Sequence, residues 1–355
     1  MDDLFSKLRS IPSTSFYNKK KPLNGLPCAD IPSGSEDEDI GSDDEVVCEY
    51  EDVEDPDFLC SDIEDSDEMM NATMMNLSRS RLYWNPKFRF TQIAEQLSVN
   101  RWDEIKRFIH FNNNNNMPPS YDKLYKLRPL LDHFRSRSLT IPKEEHLSID
   151  EQIIQFKGRS KLKQYNKNKP HRWGYKMFVL SGSTGIAYDF EFYIGQENKV
   201  ITGEVDCGVS SNVVVRLARS IPKNVNYKLY FDNYFNGPKL QIFLAKVGIL
   251  SVGTVRINRV PKVDMVEDKI LSKKGRGAFE EKVSTYDNIN ISLVKWHDNK
   301  CVNLLSTYVG SQPTGKVKRW FSSEKMYKEI TVPHVVTEYN IHMGGVDLLF
   351  IEWLV

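Results

Sequence analysis

Little in this 355-residue sequence would place it outside a reducing, aqueous compartment. Its five cysteines, Cys28, Cys48, Cys60, Cys207 and Cys301, show no C-x-x-C spacing, which argues against a disulfide framework and against a cysteine-rich zinc site. No apolar run approaches the roughly 20 residues of a membrane span, so no membrane association is expected. The opening stretch MDDLFSKLRSIPSTSF carries two acids at once and lacks a continuous apolar core, unlike a secretory signal. No internal repeat is visible, which excludes solenoids and propellers. Net charge is absent too, because 48 Lys and Arg offset 48 Asp and Glu.

That neutrality comes from segregation. Residues 1–68 hold 21 acids against 5 bases, so residues 69–355 carry a formal charge of +16. Such an excess on a globular body, itself supplied by 40% hydrophobic and 11% aromatic residues, is the footprint of a polyanion binder, and nucleic acid is the commonest polyanion. A solvated basic surface without a ligand is the plainer alternative. From Ser33 to Glu68 the run SGSEDEDIGSDDEVVCEYEDVEDPDFLCSDIEDSDE repels itself and has too few apolar residues for a core, so residues 1–74 are expected to be disordered. A solubilising tail explains this head more simply than nucleic-acid mimicry or recruitment of a basic partner.

Residues 75–141 read as a helical region. In TQIAEQLSVNRWDEIKRFIHF (91–111), Ile93, Leu97, Trp102, Ile105, Phe108 and Ile109 recur at near-helical spacing, with Ser98 or Asn100 available as a cap. Asn112 to Asn116 and Met117-Pro118-Pro119 end that pair of helices. A third follows, with Leu124, Leu127, Leu130, Leu131 and Phe134 as an apolar stripe among Lys123, Lys126, Arg128, Arg135 and Arg137. The stripe is core-like and the bases could grip phosphates, on different faces. After Pro142 the pattern turns to short strands rich in β-branched and aromatic residues: HLSIDEQIIQF, WGYKMFVLSG, IAYDFEFYIG and YKLYFDNYF. SNVVVRLARS and KLQIFLAKVGI read as helices, SVGTVRI, KVSTYD, ISLVKWHD and CVNLLSTYV as further strands, and the segment from Val335 as a helix start that soon stops. The fold class is α/β.

Asp150 in LSIDEQI and Asp232 in LYFDNYF fall on or just past expected strands, and Asp347 in GGVD falls on an expected helix. Open α/β sheets gather their sites at strand carboxyl ends. Oxygen ligands collected there suit Mg²⁺, and two such ions would serve an in-line phosphoryl displacement. Taken singly, an Asp beside a strand is more often a surface or turn residue.

The stretch HLSIDEQIIQFKGRSKLKQYNKNKPHRWGYKMFVL resembles the piggyBac transposase family, where a strand ending in IDE, an FKGR-like turn and an NKP-x-(K/R)-x-G-x-K segment occur in this order. LYFDNYFNGPKLQIFLAKVGILSVGTVRINR is similar to the family's second-Asp segment, and TEYNIHMGGVD to its third. The likeness covers roughly residues 75–349. It implies an RNase H-like mixed sheet over 142–349 with a β-rich insertion at about 252–330, and cut-and-paste chemistry at TTAA targets. It also implies catalytic, metal-holding roles for Asp150, Asp232 and Asp347 with Mg²⁺ or Mn²⁺, and double-stranded DNA as partner in the nucleus; a homodimer is compatible with it. Around the acids, Arg159, Lys161, Lys163, Lys167, Lys169, Arg172 and Lys176 mix with Tyr165, Trp173 and Tyr175, a combination suited to phosphate neutralisation and base stacking. A solvated hairpin loop is the plainer reading.

The sequence departs from the family pattern in two places. GGVD usually continues to a further acid one turn along, but position 350 is Phe350, and residues 350–355 (FIEWLV) match no family feature. No counterpart of the family's C-terminal cysteine-rich zinc module is expected within these residues. Asp347 is therefore expected to sit on a poorly supported helix, and the chain to be a DNA-binding, transposase-derived protein with impaired catalysis. The rivals are part of an active transposase, and a non-enzymatic protein acting through its acidic head. The charge segregation makes a prediction: affinity for duplex DNA falls steeply across a salt series, with several counterions released per complex. Deleting residues 1–68 tightens binding at low salt. A flat salt dependence counts against phosphate binding.

Overall fold

A computed structural model describes residues 80–118, 122–156, 158–166, 172–195 and 205–352. They form two compact units, 80–109 and 110–352. The head expected to be disordered lies outside the described residues.

In the first unit α1 (Thr91–Ala94) and α2 (Val99–Phe108) realise the expected helix pair. Ser98 is the cap: its Oγ accepts from the Arg101 amide at 3.2 Å. Trp84 pairs with Trp102 and Tyr83 with Phe90 without any fully buried residue in these helices, and Phe108 and Ile109 of the expected apolar set stay exposed.

In the second unit α3 (Arg128–Thr140) starts later than its leucine stripe suggests. Pro129 favours its first turn, and the Asp122 carboxylate organises the turn before it by accepting from the Leu124 amide and the Arg128 guanidinium at 3.0 and 2.8 Å. Phe134 is exposed, so the stripe is only partly core. Three of the bases along it have internal partners: Arg128 with Asp122, Arg135 with buried Asp189, and Lys123 with the Ile194 carbonyl.

The remaining elements are β1 (His146–Gln155), β2 (Lys163–Tyr165), β3 (Trp173–Gly182), β4 (Ala187–Phe192), α4 (Val209–Leu217), β5 (Lys228–Phe231), α5 (Pro238–Lys246) and β6 (Leu250–Thr254). They are followed by α6 (Asp268–Lys273), β7 (Phe279–Tyr286), β8 (Ile289–His297), β9 (Cys301–Ser306), β10 (Gly315–Phe321), β11 (Met326–Val332), α7 (His334–His342) and α8 (Gly345–Glu352). β1 runs antiparallel to β3, from Leu147↔Gly182 to Gln155↔Gly174, and parallel to β5, from His146↔Lys228 to Ile149↔Phe231. The far edge of β3 carries β2 and β4. β5 pairs in parallel with β6, and the expected β-rich insertion continues the same sheet through β9, β8 and β7 and adds the separate ribbon β10–β11.

Alternation along the strands sorts the layers. Leu147, Ile149, Leu229 and Phe231 pack with Val214, Leu217, Leu240 and Leu244 of α4 and α5. On the other face Tyr230 and Val252 pack with Val335, Val336 and Tyr339 of α7, while Val179 packs with Val346 and Leu349 of α8. The expectation that the helix beginning near Val335 soon stops is thus corrected. Two helices run to Glu352, because burial of Val346 and Leu349 supports a segment too short to be helical by itself. Four elements, β2, α6, β10 and β11, had no clear signal in sequence. β10 and β11 are half-polar, with Lys316, Lys318 and Lys328 on them.

Gly345 seats α8. A Cβ there would lie 2.2 Å from the Gly182 carbonyl and 2.8 Å from the hydroxyls of Ser148 and Ser181, whereas one at Gly344 would meet nothing within 4 Å. Gly345→Ala is therefore expected to lower stability by about 1–3 kcal/mol through overpacking, and Gly344→Ala by much less, in urea unfolding of the two variants. Equal losses would contradict this docking.

Candidate functional site

Because β1 and β5 pair in parallel up to Ile149↔Phe231, the next residues, Asp150 within β1 and Asp232 just past β5, emerge side by side where the parallel ladder ends. Both follow the parity of Ser148 and Tyr230, the face covered by α7 and α8. Oxygens of Asp150, Glu151 and Asp232 all lie within 4.8 Å of one another, a carboxylate group that could hold a metal ion. The Asp150 side chain accepts from the Glu151 amide and the Asp232 side chain from the Tyr234 amide, each at 2.8 Å. Burial, and then the charge of Glu151, push Asp232 up to about 6, against the Tyr234 hydrogen bond and the charges of Lys176 and Arg256. A bound cation would relieve that repulsion, so the donor set fits one.

Asp347 stands exposed in the first turn of α8, outside this tightest group. Tyr339 links it to the others: burial first, then the charges of Asp232, Asp150 and Asp347, raise its hydroxyl, which also hydrogen-bonds Thr254. The poor support expected beneath Asp347 is not observed, since Gly345, Val346 and Leu349 fasten α8 to β1 and β3.

A buried polar network shapes the loop after Asp232. The Asn236 amide donates to the carbonyls of Gly253 and Thr254, each at 2.9 Å, and accepts from Gln241 at 3.1 Å; Ser251 donates to Gln241 at 2.6 Å. Arg259 Nη1 lies 2.8–3.2 Å from the carbonyls of Asn233, Tyr234 and Asn236. These groups fix where the Asp232 carboxylate points.

Of the basic residues singled out in sequence, Arg159, Lys161 and Arg172 are exposed, and Lys163 and Lys176 half-buried. Lys163 lies over the Trp173 ring at 4.8 Å and Lys176 over Tyr234 at 4.6 Å, which draws Lys176 towards Asp232. Lys167 and Lys169 lie outside the described residues. Tyr165 and Trp173 pair on the surface at 4.8 Å. Glu151, Tyr339 and Arg259 were not anticipated. Glu151 was visible in the IDE motif, but strand alternation alone points it away from Asp150. Tyr339 lies in the YN of the third motif, and Arg259 carried no signal.

A central strand paired antiparallel on one side and parallel on the other, helices on both faces and carboxylates where the parallel ladder ends make a mixed α/β sheet of the fold found in piggyBac transposase. The chain belongs to the piggyBac-type transposase family described as Transposase IS4, whose model matches residues 68–349. It is 30% identical over 280 residues to human PiggyBac transposable element-derived protein 3, covering 77% of this chain and 46% of that protein. To human PiggyBac transposable element-derived protein 2 it is 28% identical over 273 residues, covering 76% and 45%. The chain thus spans less than half the length of these relatives. A solved piggyBac transposase synaptic complex with hairpin DNA matches at a TM-score of 0.58 and 22% identity, over 76% of this chain and 53% of that one. Among the described residues no helix is long and apolar enough to cross a membrane.

The raised Asp232 predicts a pH signature for the metal-free chain. The folded protein holds this proton more tightly than the unfolded chain, whose ordinary value is 3.8, so the stability present below that value is lost as pH rises through about 6. In chelator, Asp232→Asn should melt above the wild type at pH 7 and close to it at pH 4. A difference independent of pH in thermal unfolding would contradict the shift.

Proposed function

We propose that this chain is a DNA-binding, transposase-derived protein whose Asp150, Asp232 and Asp347 form a divalent-metal site for phosphoryl transfer on double-stranded DNA, a substrate that places it in the nucleus. One observation carries the reading: Asp150 and Asp232 are brought side by side by strand register, with Glu151 in the same 4.8 Å group, within a body of formal charge +16. The solved relative in complex with hairpin DNA supports the choice of partner.

Asp150 and Asp232 would hold the ion through oxygens, the ligand type that Mg²⁺ or Mn²⁺ prefers, and Asp347 would approach from the first turn of α8. When bound, such ions activate the attacking oxygen and stabilise the leaving oxygen of an in-line displacement. Lys176 and Arg256, whose charges already reach Asp232, would lie close to a phosphate brought to the metal. Farther out, Arg159, Lys161 and Arg172 would neutralise backbone phosphates and Lys163 would carry the Trp173 platform, with Lys167 and Lys169 on the same basic stretch.

Calorimetric titration of Mn²⁺ into the full chain tests the site. Asp150→Ala and Asp232→Ala are each expected to weaken binding by roughly tenfold or more, and to abolish any metal-dependent cleavage of a hairpin DNA by the parent chain. Unchanged metal affinity in both variants overturns the assignment.

A further inference from the structure

One face of β1 carries His146, Ser148 and Asp150 at alternate positions. Asp150 belongs to the carboxylate site. Four residues back along the strand, about 13 Å at the usual rise, His146 meets a second group of potential ligands. Glu338 and His342 lie four residues apart on α7 and so share one helix face, and one ligand atom from each of His146, Glu338 and His342 lies within 4.8 Å of the others. The two imidazoles stack with centroids 3.8 Å apart and planes 6° from parallel.

Each ring is held at its δ nitrogen by a hydroxyl. His146 Nδ1 is 2.9 Å from the Tyr230 hydroxyl, and His342 Nδ1 is 3.2 Å from the Ser183 hydroxyl. That leaves Nε2 as the remaining nitrogen of each ring, and His342 Nε2 faces Glu338 Oε2 at 3.8 Å. The same carboxylate oxygen accepts from Tyr230 at 3.3 Å and from Tyr308 at 3.4 Å. Imidazoles fixed through one nitrogen by an outer partner, beside an oriented carboxylate, are the arrangement seen around bound transition metals. The rings are also available as neutral ligands: burial, and then neighbouring positive charge, lower both, His342 to about 4. Also facing the pair are Lys228, itself paired with Glu145, the Glu144 carboxylate, and the His334 ring, 3.7 Å from Glu338 Oε1.

We propose that His146, Glu338 and His342 bind a zinc-class divalent ion, at a site separate from the carboxylate centre, and that this ion clamps α7 to β1. Two imidazoles and one carboxylate suit zinc and its neighbours, with a fourth position left for water, and are a poor match for Mg²⁺. Tetrahedral binding asks for nitrogens about 3.3 Å apart, within the 4.8 Å spread of the three ligand atoms, and binding would open the parallel stack, tilting the two rings so that their Nε2 lone pairs converge beside Glu338. The clamp would matter to the carboxylate centre because Tyr339 follows Glu338 on α7, and α7 leads into α8 and Asp347.

The test uses the full chain carrying Asp150→Ala and Asp232→Ala, which silences the carboxylate centre. Calorimetry should show one equivalent of Zn²⁺ bound, undisturbed by excess Mg²⁺, and Zn²⁺ should raise the melting temperature. Co²⁺ in its place should give the visible d–d absorption of a nitrogen- and oxygen-ligated ion without thiolate charge transfer. Adding Ser183→Ala should weaken Zn²⁺ binding within the roughly 10–100-fold range of a lost outer partner, and His342→Gln by more than that. Absence of saturable Zn²⁺ binding, a thiolate band with Co²⁺, or affinity unmoved by His342→Gln would each overturn the proposal. If His342→Gln does not fold, the Co²⁺ spectrum of the parent and the response to Ser183→Ala decide the matter.

Discussion

Everything chemical in this molecule depends on the parallel pairing of β1 with β5. That ladder ends at Ile149↔Phe231, and its register places two carboxylates, 82 positions apart in sequence, side by side just beyond it and on the same face. A slip of one residue would turn one of them to the opposite layer. Buried apolar pairs hold the register: Leu147 and Ile149 beside Leu229 and Phe231, all fully buried under α4 and α5. The core on one face therefore aims the acids on the other.

The opposite layer is built against that face in matching steps. His146, Ser148 and Asp150 follow one another along β1, and above the first two α7 and α8 bring His342 and Gly345. Helix α7 ends at His342, and the chain turns through Met343 and Gly344 before α8 begins at Gly345. Gly345 is the point of closest approach, and only a residue without a Cβ fits there. The two adjacent glycines of the GGVD motif thus do different work: Gly345 permits contact, while Gly344 lies in the turn with open space around it.

Repulsion among the carboxylates is tolerated because the surroundings are rigid and polar where needed. Asn236, Gln241 and Ser251 are fully buried yet hydrogen-bonded to one another and to strand carbonyls, and Arg259 gathers the carbonyls of the loop after Asp232. Satisfied networks of this kind specify one conformation, which an ion-binding site requires. The same economy appears in α3, where Arg135 meets the buried Asp189 carboxylate through two hydrogen bonds, so a base that looked suited to phosphate holds the helix on the sheet.

The strands HLSIDEQIIQ, WGYKMFVLSG and ISLVKWH were legible as short runs rich in β-branched and aromatic residues, and their consecutive buried residues reflect a sheet covered on both faces. The motifs around Asp150, Asp232 and Asp347 were legible as a family resemblance. β10–β11, α6 and β2 were not, since short or half-polar elements owe their conformation to neighbours rather than to their own composition. α8 was misjudged for the same reason: its helicity rests on Val346 and Leu349 meeting β3. By itself the sequence determined the charge segregation, the strand core and the family motifs around three acids, all of which are properties of local composition and order. Only the tertiary structure decided that Glu151 joins Asp150 and Asp232, that Lys176 turns towards them, and that His146 faces Glu338 and His342. Those are contacts between distant segments, set by register and layer packing rather than by any local pattern.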